Sequence, residues 1–249
     1  MVNINLGCGG RVFPHWLNVD FPDNKSAGVF RIDLLKKWPF KKNHLRAVYS
    51  CHFLEHLSRL DALKVLLDSF LSLRSKGIFR VCVPDLEYNA GLYLKNLREF
   101  KATKKNNSKL TWARLNLFEQ MVRQNEGGEI REFLFRCDKK ILEFVKMTTG
   151  GPEAFQLNVQ KHQKKPRTIR SFIERFCSRK TTKAHPEKHR WAYDEIELSQ
   201  MLKETGFVKI ERKKAGQSSI KEWKEPGMEL DEKGNEWKPN SLILEAVKP

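Results

Sequence analysis

The chain has 249 residues, five scattered cysteines and a formal net charge of +17. This length can bury one good hydrophobic core and carry an elaboration of it. No apolar run approaches the roughly twenty residues that cross a bilayer, and we expect no signal peptide or membrane span. The cysteines lack Cys-x-x-Cys spacing, which disfavours a zinc ribbon or a disulfide framework and favours reduced thiols in the cytoplasm.

The basic excess is concentrated in one internal segment. Residues 95–190 hold 24 basic and 10 acidic side chains, a net charge of +14, whereas residues 1–94 contribute +5 and residues 191–249 contribute −2. Such a patch attracts nucleic acid, an anionic glycan, a nucleotide-linked sugar or an acidic membrane surface. A solvated helical face explains the same charges equally well.

The chain begins with a short apolar run, 2–6, that breaks directly into Gly7, Gly9 and Gly10. This pattern predicts a buried strand and a turn in which a ligand lies against bare backbone. Strands are predicted next at 16–20 and 29–34, each ending with an acid, Asp20 and Asp33. An acid at the tip of the second strand accepts ribose hydroxyls in nucleotide-binding domains, but here it comes too early for a dinucleotide enzyme.

A fourth strand is predicted at 46–50, followed by a helix over 60–71 that Ser58 caps and Gly77 closes, and by a fifth strand at 78–83. Residues 86–190 break the alternation, with helices predicted at 88–100 and 112–124 and a basic stretch from 161 to 188. A helix then begins at the capping box Asp194-x-x-Glu197 and precedes strands at 208–212 and 241–247. We therefore expect one domain, 1–249, with a helical insertion or lid at 87–190.

These elements and several motifs resemble the class I S-adenosylmethionine-dependent methyltransferases. The motifs are Asn5-Leu6-Gly7-Cys8-Gly9, Leu17-Asn18-Val19-Asp20, Ser50-x-x-x-Leu54-Glu55-His56-Leu57, Gly77-x-x-Arg80-x-x-Val83-Pro84-Asp85-Leu86 and Gly206-Phe207. Within the class the chain is similar to the methyltransferase type 11 kind, often associated with sugar and surface-polysaccharide synthesis. The resemblance implies an α/β, Rossmann-like seven-stranded sheet, mostly parallel, with the last strand antiparallel. The chain departs from the pattern in its very short first crossover.

The resemblance also implies how the cofactor would be held. The backbone of Leu6, Gly7, Cys8 and Gly9 would pass under its methionine part, and Asp20 would bind the ribose diol. Asp33 and Leu34 would contact the adenine, and Ser50 and Cys51 would line the methionyl side through their backbone. Without a cofactor, the same glycines would form a tight turn and the two acids would cap turns or helices.

His52, Glu55 and His56 are spaced i, i+3 and i+4, which places them on one face if this segment is helical. A hydroxyl acceptor needs a base, so one hypothesis makes His56 or His52 the general base and Glu55 its orienting partner. In a second hypothesis the trio binds a divalent metal. Its pattern is similar to the Glu-x-x-Glu-His metal cluster of ubiquinone-pathway and small-RNA terminal O-methyltransferases. In a third, these residues only cap a helix start.

Other candidates lie further along the chain. Asp85 is a second candidate base or a turn cap. The substrate candidates are Arg123, His189, Trp191, Tyr193 and the basic cluster 161–170, although a hydrophobic staple and a solvated surface are alternatives.

Taken together, the sequence predicts a cytoplasmic S-adenosylmethionine-dependent O-methyltransferase that releases S-adenosylhomocysteine. Its acceptor would be a hydroxyl of a sugar in a glycan or in a nucleotide-linked precursor. Two alternatives remain open: an RNA methyltransferase that uses the basic insertion, and a cofactor-binding partner protein without catalysis.

Overall fold

The computed structural model describes residues 2–125, 127–151, 188–221, 223 and 227–249. The chain divides into two compact units, one formed by 1–91 with 189–249 and the other by 92–188. The second unit nearly coincides with the predicted insertion at 87–190, whose action as a lid stays a prediction. The basic cluster at 161–170 lies outside the described residues.

The first unit contains a seven-stranded sheet with the order β3-β2-β1-β4-β5-β7-β6. Its strands are β1 (Asn3–Leu6), β2 (Leu17–Asp20), β3 (Val29–Arg31), β4 (Leu45–Cys51), β5 (Leu73–Pro84), β6 (Val208–Arg212) and β7 (Ser241–Val247). Strands β1 to β5 pair in parallel, and β7 is antiparallel to both β5 and β6. The predicted fold class is confirmed.

The described helices are α1 (Arg59–Ser72), α2 (Leu86–Thr103), α3 (Asn107–Val122), α4 (Gly128–Arg136), α5 (Lys139–Thr149) and α6 (Glu195–Thr205). The predicted N-caps of α1 and α6 are confirmed, because Ser58 accepts a hydrogen bond from the Asp61 amide and Asp194 accepts one from the Glu197 amide. Gly206, with φ of 108°, ends α6 in the left-handed conformation that favours glycine.

One local prediction was wrong. Helix α1 ends at Ser72 rather than at Gly77, because Leu73 is already extended and opens β5. The register between β4 and β5 shifts at this point, so Gly77 lies inside an irregular strand. Helices α4 and α5 were not predicted; Gly127, with a left-handed backbone, is the N-cap of α4.

The core of the first unit joins the sheet to α1 and α6. Ile4, Leu6, Val48 and Val81 are fully buried on central strands, as expected for parallel strands covered on both faces. Helix α1 contributes Val65 and Leu66 to this core, and α6 contributes Leu198 and Leu202. The second unit has its own core, which contains Trp112, Ile130, Leu134, Ile141 and Val145.

Asn18 organises the short crossover from β1 to β2. Its side chain accepts from the Phe13 amide at 2.9 Å and from Asn5 at 3.0 Å, and it donates to the carbonyls of Phe13 and Trp16. A buried amide that satisfies so many partners fixes the turn without a helix. The hydrogen bonds of Asn18 therefore hold this unusually short crossover in place.

The segment 213–240 covers the other face of the sheet. The ring of Trp223 packs edge-on against Tyr49 and Trp16, at centroid distances of 5.1 and 6.0 Å. Arg80, which is fully buried on β5, bonds Glu229 and Glu245, with nitrogen–oxygen distances of 2.5 to 2.7 Å. The described residues of 213–240 thus pack against side chains of β4 and β5.

Candidate functional site

The order of the strands defines a crevice at the carboxyl ends of β1 and β4. From β1 the chain builds outward through β2 and β3 on one side, and through β4 and β5 on the other. Ligands of open α/β sheets bind at such a switch point. The sheet register places Leu6 beside both Val19 and Ser50, so the predicted cofactor residues of β1, β2 and β4 meet here.

The glycine loop that follows β1 is tied to the end of β2. Gly7 and Cys8 donate their amides to the Val19 carbonyl, at 2.9 and 3.2 Å. The Asp20 carboxylate accepts from the Gly9 amide at 2.6 Å and from Asn24 at 2.8 Å. Asp20 therefore caps the glycine loop, which is the role that we gave for this acid in the absence of a cofactor. Asn24 also donates to the Gly9 carbonyl, at 2.7 Å, a role that sequence reasoning missed.

The two glycines of this loop have different surroundings. Both have positive φ, 64° at Gly7 and 56° at Gly9. A Cβ at position 7 would collide with the ring of Phe53, whereas a Cβ at position 9 would meet nothing within 4 Å. Packing therefore requires glycine at position 7, and Gly9 presents bare backbone to open space, as a ligand-binding loop requires.

Asp33 and Leu34 lie just beyond β3, which ends at Arg31 rather than at the predicted residue 34. Asp33 is half-buried and accepts a hydrogen bond from the Leu35 amide at 3.0 Å. Leu34 is fully buried in the main core, so packing already occupies its side chain. Of the two, Asp33 has the more accessible side chain.

Ser50 ends the buried part of β4 with an unsatisfied hydroxyl. Within the part of the chain that the structure describes, Ser50 Oγ, Glu55 Oε2 and Tyr193 OH are buried without a hydrogen-bond partner. Leaving a buried polar atom unpaired costs about 1–3 kcal/mol. Because all three belong to segments near this edge of the sheet, they fit a site that a polar ligand completes.

His52 links β4 to the beginning of β7. Its backbone is left-handed, with φ of 52°. Nδ1 donates to Glu55 Oε1 at 3.1 Å, and Nε2 accepts from the Ser241 hydroxyl at 2.9 Å. Burial lowers the pKa of His52 to about 4, so the ring is neutral at pH 7. Both ring nitrogens are therefore engaged.

Glu55 is ionised at neutral pH although its side chain is 1% exposed. Burial raises the pKa of this carboxyl, but the hydrogen bond from His52 and the nearby imidazoles outweigh that effect and lower it to about 2. Ionised Glu55 lies in a short 3₁₀ turn, Leu54–His56, not in a helix.

The predicted trio His52, Glu55 and His56 does not form one helical face. The left-handed backbone of His52 and the 3₁₀ turn direct the His52 ring to Glu55 Oε1 and Ser241 instead. Among the described residues, ligand atoms of Glu55, His56 and His189 lie within 4.8 Å of one another. The structure thus groups Glu55 and His56 with His189, while the metal set with His52 stays a prediction.

His189 reaches this place because its neighbours bind the 3₁₀ turn. The amides of Arg190 and Trp191 donate to the Glu55 carbonyl, at 2.6 and 3.3 Å. The rings of His56 and His189 are perpendicular, with centroids 4.8 Å apart. Burial lowers the pKa of His189 to about 3, so its imidazole is neutral.

The remaining substrate candidates have internal partners. Trp191 donates to Glu197 at 2.7 Å, and the Arg59 guanidinium lies 4.8 Å above its ring. Tyr193 is fully buried, and burial raises its pKa. In the second unit, Arg123 pairs with Glu119 at 2.8 Å. These contacts favour structural roles, and the substrate roles stay predictions.

Asp85, the second candidate base, is 3% exposed at the end of β5. One oxygen accepts from the Tyr88 amide at 3.1 Å, and the other accepts from Arg212 at 2.7 Å. The contact with the Tyr88 amide fits the alternative in which Asp85 is a turn cap, and the contact with Arg212 is an ion pair.

Sequence reasoning gave no role at this site to Lys238. The Lys238 ammonium lies 4.8 Å from the centroid of the Trp237 ring, and the Arg11 guanidinium lies 3.6 Å from the same centroid. The Trp237 ring also packs edge-on against His52. Burial lowers the pKa of Lys238.

No family model matches this chain, and no curated protein matches it. Among solved structures it is similar to a SAM-dependent methyltransferase of Thermotoga maritima, a possible histamine N-methyltransferase. The two sequences are 11% identical, the match covers 100% of this chain and 82% of that chain, and the TM-score is 0.44. A SAM-dependent methyltransferase of Archaeoglobus fulgidus gives 12% identity, coverages of 100% and 86% and a TM-score of 0.42.

A shorter likeness links the chain to phosphoethanolamine N-methyltransferase 1 of Haemonchus contortus, solved with phosphoethanolamine and S-adenosylhomocysteine. It covers 33% of this chain and 22% of that one, with 15% identity and a TM-score of 0.28. The similar solved structures are thus SAM-dependent methyltransferases, while the strand order itself carries the fold assignment. Across the described ranges, no helix has the length and apolar character needed to cross a membrane.

Proposed function

We propose that this protein is an S-adenosylmethionine-dependent O-methyltransferase. One observation carries the proposal: the switch point of the sheet holds an open glycine backbone at Gly9, a carboxylate at Asp20 and, at Ser50, a buried hydroxyl with no hydrogen-bond partner among the described residues. A backbone loop, a carboxylate and a hydroxyl are groups that can bind a nucleoside with an amino-acid tail.

The residues at this edge fit the cofactor. The backbone from Leu6 to Gly9 would hold its methionine part, with Ser50 and Cys51 on the facing strand. Asp20 would accept the ribose hydroxyls, because each carboxylate oxygen accepts more than one hydrogen bond, and Asp33 would contact the adenine. When bound, the cofactor supplies an electrophilic methyl group on a sulfonium and leaves as S-adenosylhomocysteine.

The chain must hold the acceptor in line with the methyl group and remove the acceptor's proton. Both nitrogens of His52 are engaged, and Asp85 is paired with Arg212. A pKa near 2 makes Glu55 a weak base on its own. His56 with Glu55 therefore remains, acting either as a base with its orienting carboxylate or as part of a metal site.

For the acceptor we propose a hydroxyl of a sugar, in a glycan or in a nucleotide-linked precursor. The net charge of +14 on residues 95–190 supports an acceptor that carries phosphate or an acidic group. The described cysteines Cys8, Cys51, Cys82 and Cys137 are free thiols, which supports a cytoplasmic location.

A methyl-transfer assay over a panel of acceptors tests this proposal. Nucleotide-linked sugars, acidic oligosaccharides and RNA would each be incubated with cofactor, and release of S-adenosylhomocysteine would be measured. We expect turnover with a sugar acceptor and loss of turnover in Asp20→Asn, but not in Asp23→Asn, whose side chain is exposed on the next loop. Turnover with RNA alone would overturn the sugar assignment, and no binding of cofactor would overturn the proposal itself.

A further inference from the structure

One carboxylate oxygen of Glu55 is satisfied and the other is not. Oε1 accepts from His52 at 3.1 Å, while Oε2 is buried and has no hydrogen-bond partner within the described ranges. Burying part of an ionised carboxylate without a partner costs free energy, because the charge loses its hydration. A buried negative oxygen of this kind indicates a missing cation.

Within the part of the chain that the structure describes, no side chain supplies that cation to Oε2. Lys238 is close enough to influence Glu55 electrostatically, but its ammonium lies over Trp237 and makes no ion pair with Glu55 among the described residues. His52 donates only to the other oxygen. The uncompensated charge therefore faces the two remaining imidazoles, His56 and His189.

These imidazoles are arranged as ligands. One atom each of Glu55, His56 and His189 lies within 4.8 Å of the others. Hydrogen bonds from the two residues after His189 to the Glu55 carbonyl hold the second histidine against the first. Imidazole nitrogens are common ligands of divalent transition metals.

We propose that Glu55 Oε2 and one ring nitrogen each of His56 and His189 form a binding site for a divalent transition-metal ion such as Zn²⁺. Two imidazoles and one carboxylate are a ligand set of zinc sites that keep a fourth position open. At ligand distances of about 2.0–2.1 Å, tetrahedral ligand atoms lie about 3.3 Å apart, so small side-chain rotations close the site.

The same geometry makes His52 a positioning residue. The Ser241 hydroxyl donates to His52 Nε2, and His52 Nδ1 donates to Glu55 Oε1, which holds the carboxylate and leaves Oε2 for the ion. Hydrogen bonds from outside the ligand set orient ligands in this way and tune metal affinity. Sequence spacing alone had placed His52 among the ligands.

The ion would lie just past the carboxyl end of β4, which Ser50 and Cys51 close. There it could lower the pKa of an acceptor hydroxyl, so that His56 acts as a ligand and no separate strong base is needed. This use rests on the proposed function, whereas binding of the ion does not.

Calorimetric titration of the metal-stripped full chain with Zn²⁺ tests the site, and Co²⁺ absorption reports on the ligands. We expect one ion per chain, and at least tenfold weaker binding, about 1.4 kcal/mol, in His56→Gln, His189→Gln and Glu55→Gln. The matched control is His15→Gln, because His15 is exposed and remote from Glu55 in sequence. His52→Gln should keep the stoichiometry and weaken binding less than the ligand variants do.

Absence of stoichiometric Zn²⁺ binding by the wild type would overturn the site. Unchanged affinity in both histidine variants, or a thiolate charge-transfer band with Co²⁺, would overturn it as well. If Glu55→Gln fails to fold, the two half-buried histidines still decide the question. Titration of the same proteins with S-adenosylhomocysteine distinguishes the metal-site proposal from the proposed function. A variant that loses Zn²⁺ binding but still binds S-adenosylhomocysteine has lost the metal site alone.

Discussion

The carboxylate of Asp20, at the end of β2, accepts a hydrogen bond of 2.6 Å from the backbone amide of Gly9, in the loop that follows β1. This contact joins the two strand ends where a nucleoside would bind. It fixes the loop before any ligand arrives, and such preorganisation lowers the entropy cost of binding. The acid that the resemblance assigns to a ribose is therefore also a structural element of its own loop.

The two glycines of this loop should respond differently to alanine. Gly7→Ala adds a left-handed alanine and a collision with Phe53, which we expect to cost more than about 2 kcal/mol. Gly9→Ala meets open space and should cost only about 1 kcal/mol through its positive φ. Urea unfolding measures both values. Equal losses of stability would contradict the described packing of Phe53.

Ser50→Ala should separate ligand binding from stability. Its hydroxyl is buried and unpaired, so its removal should leave the free energy of unfolding unchanged or raise it by up to about 1 kcal/mol. Binding of S-adenosylhomocysteine should weaken severalfold in the same variant. Ser58→Ala is the matched control: it removes the cap of α1 and should lower stability by about 1 kcal/mol. Unchanged binding in Ser50→Ala would exclude this hydroxyl from the cofactor site.

Glu245 should make stability depend on pH in the acid range. Burial raises its pKa, but hydrogen bonds from Ser218, the Ser219 amide and Arg80 lower it below the usual value near 4.5. The folded state thus binds a proton less readily than the unfolded state, so this stabilisation is present above pH 4.5 and is lost as pH falls through the folded-state pKa. Glu245→Gln should reduce that loss, measured by urea unfolding from pH 7 to 3.

The control for this prediction is Glu232→Gln, because Glu232 is exposed. It should leave the slope of stability against pH unchanged. An identical acid profile in wild type and Glu245→Gln would show that Arg80 does not hold Glu245 ionised in the folded protein.

The sequence predicted the sheet well because its signals are local. Short runs rich in apolar residues located all seven strands, and Ser58 and Asp194 located two helix starts. Gly77 misled because glycine serves both helix ends and irregular strands, and only the register with β4 distinguishes them. Helix α5 had a usable signal in Asp138, which caps it by accepting from Ile141.

The site was harder to predict because its contacts are long-range. Helical spacing grouped His52 with Glu55 and His56, but a left-handed residue and a 3₁₀ turn do not preserve that spacing. His189 joins the group through backbone hydrogen bonds that span more than a hundred residues of chain. No local pattern encodes such a contact.

Calorimetric titration with S-adenosylhomocysteine tests the central claim most directly. Wild type should bind with micromolar affinity, Asp20→Asn should bind at least tenfold more weakly, a loss of about 1.4 kcal/mol, and the exposed control Asp23→Asn should match wild type. Circular dichroism would verify that all three proteins are folded. If folded wild type does not bind, the methyltransferase assignment is wrong, and the loop from Gly7 to Gly9 is a structural turn capped by Asp20.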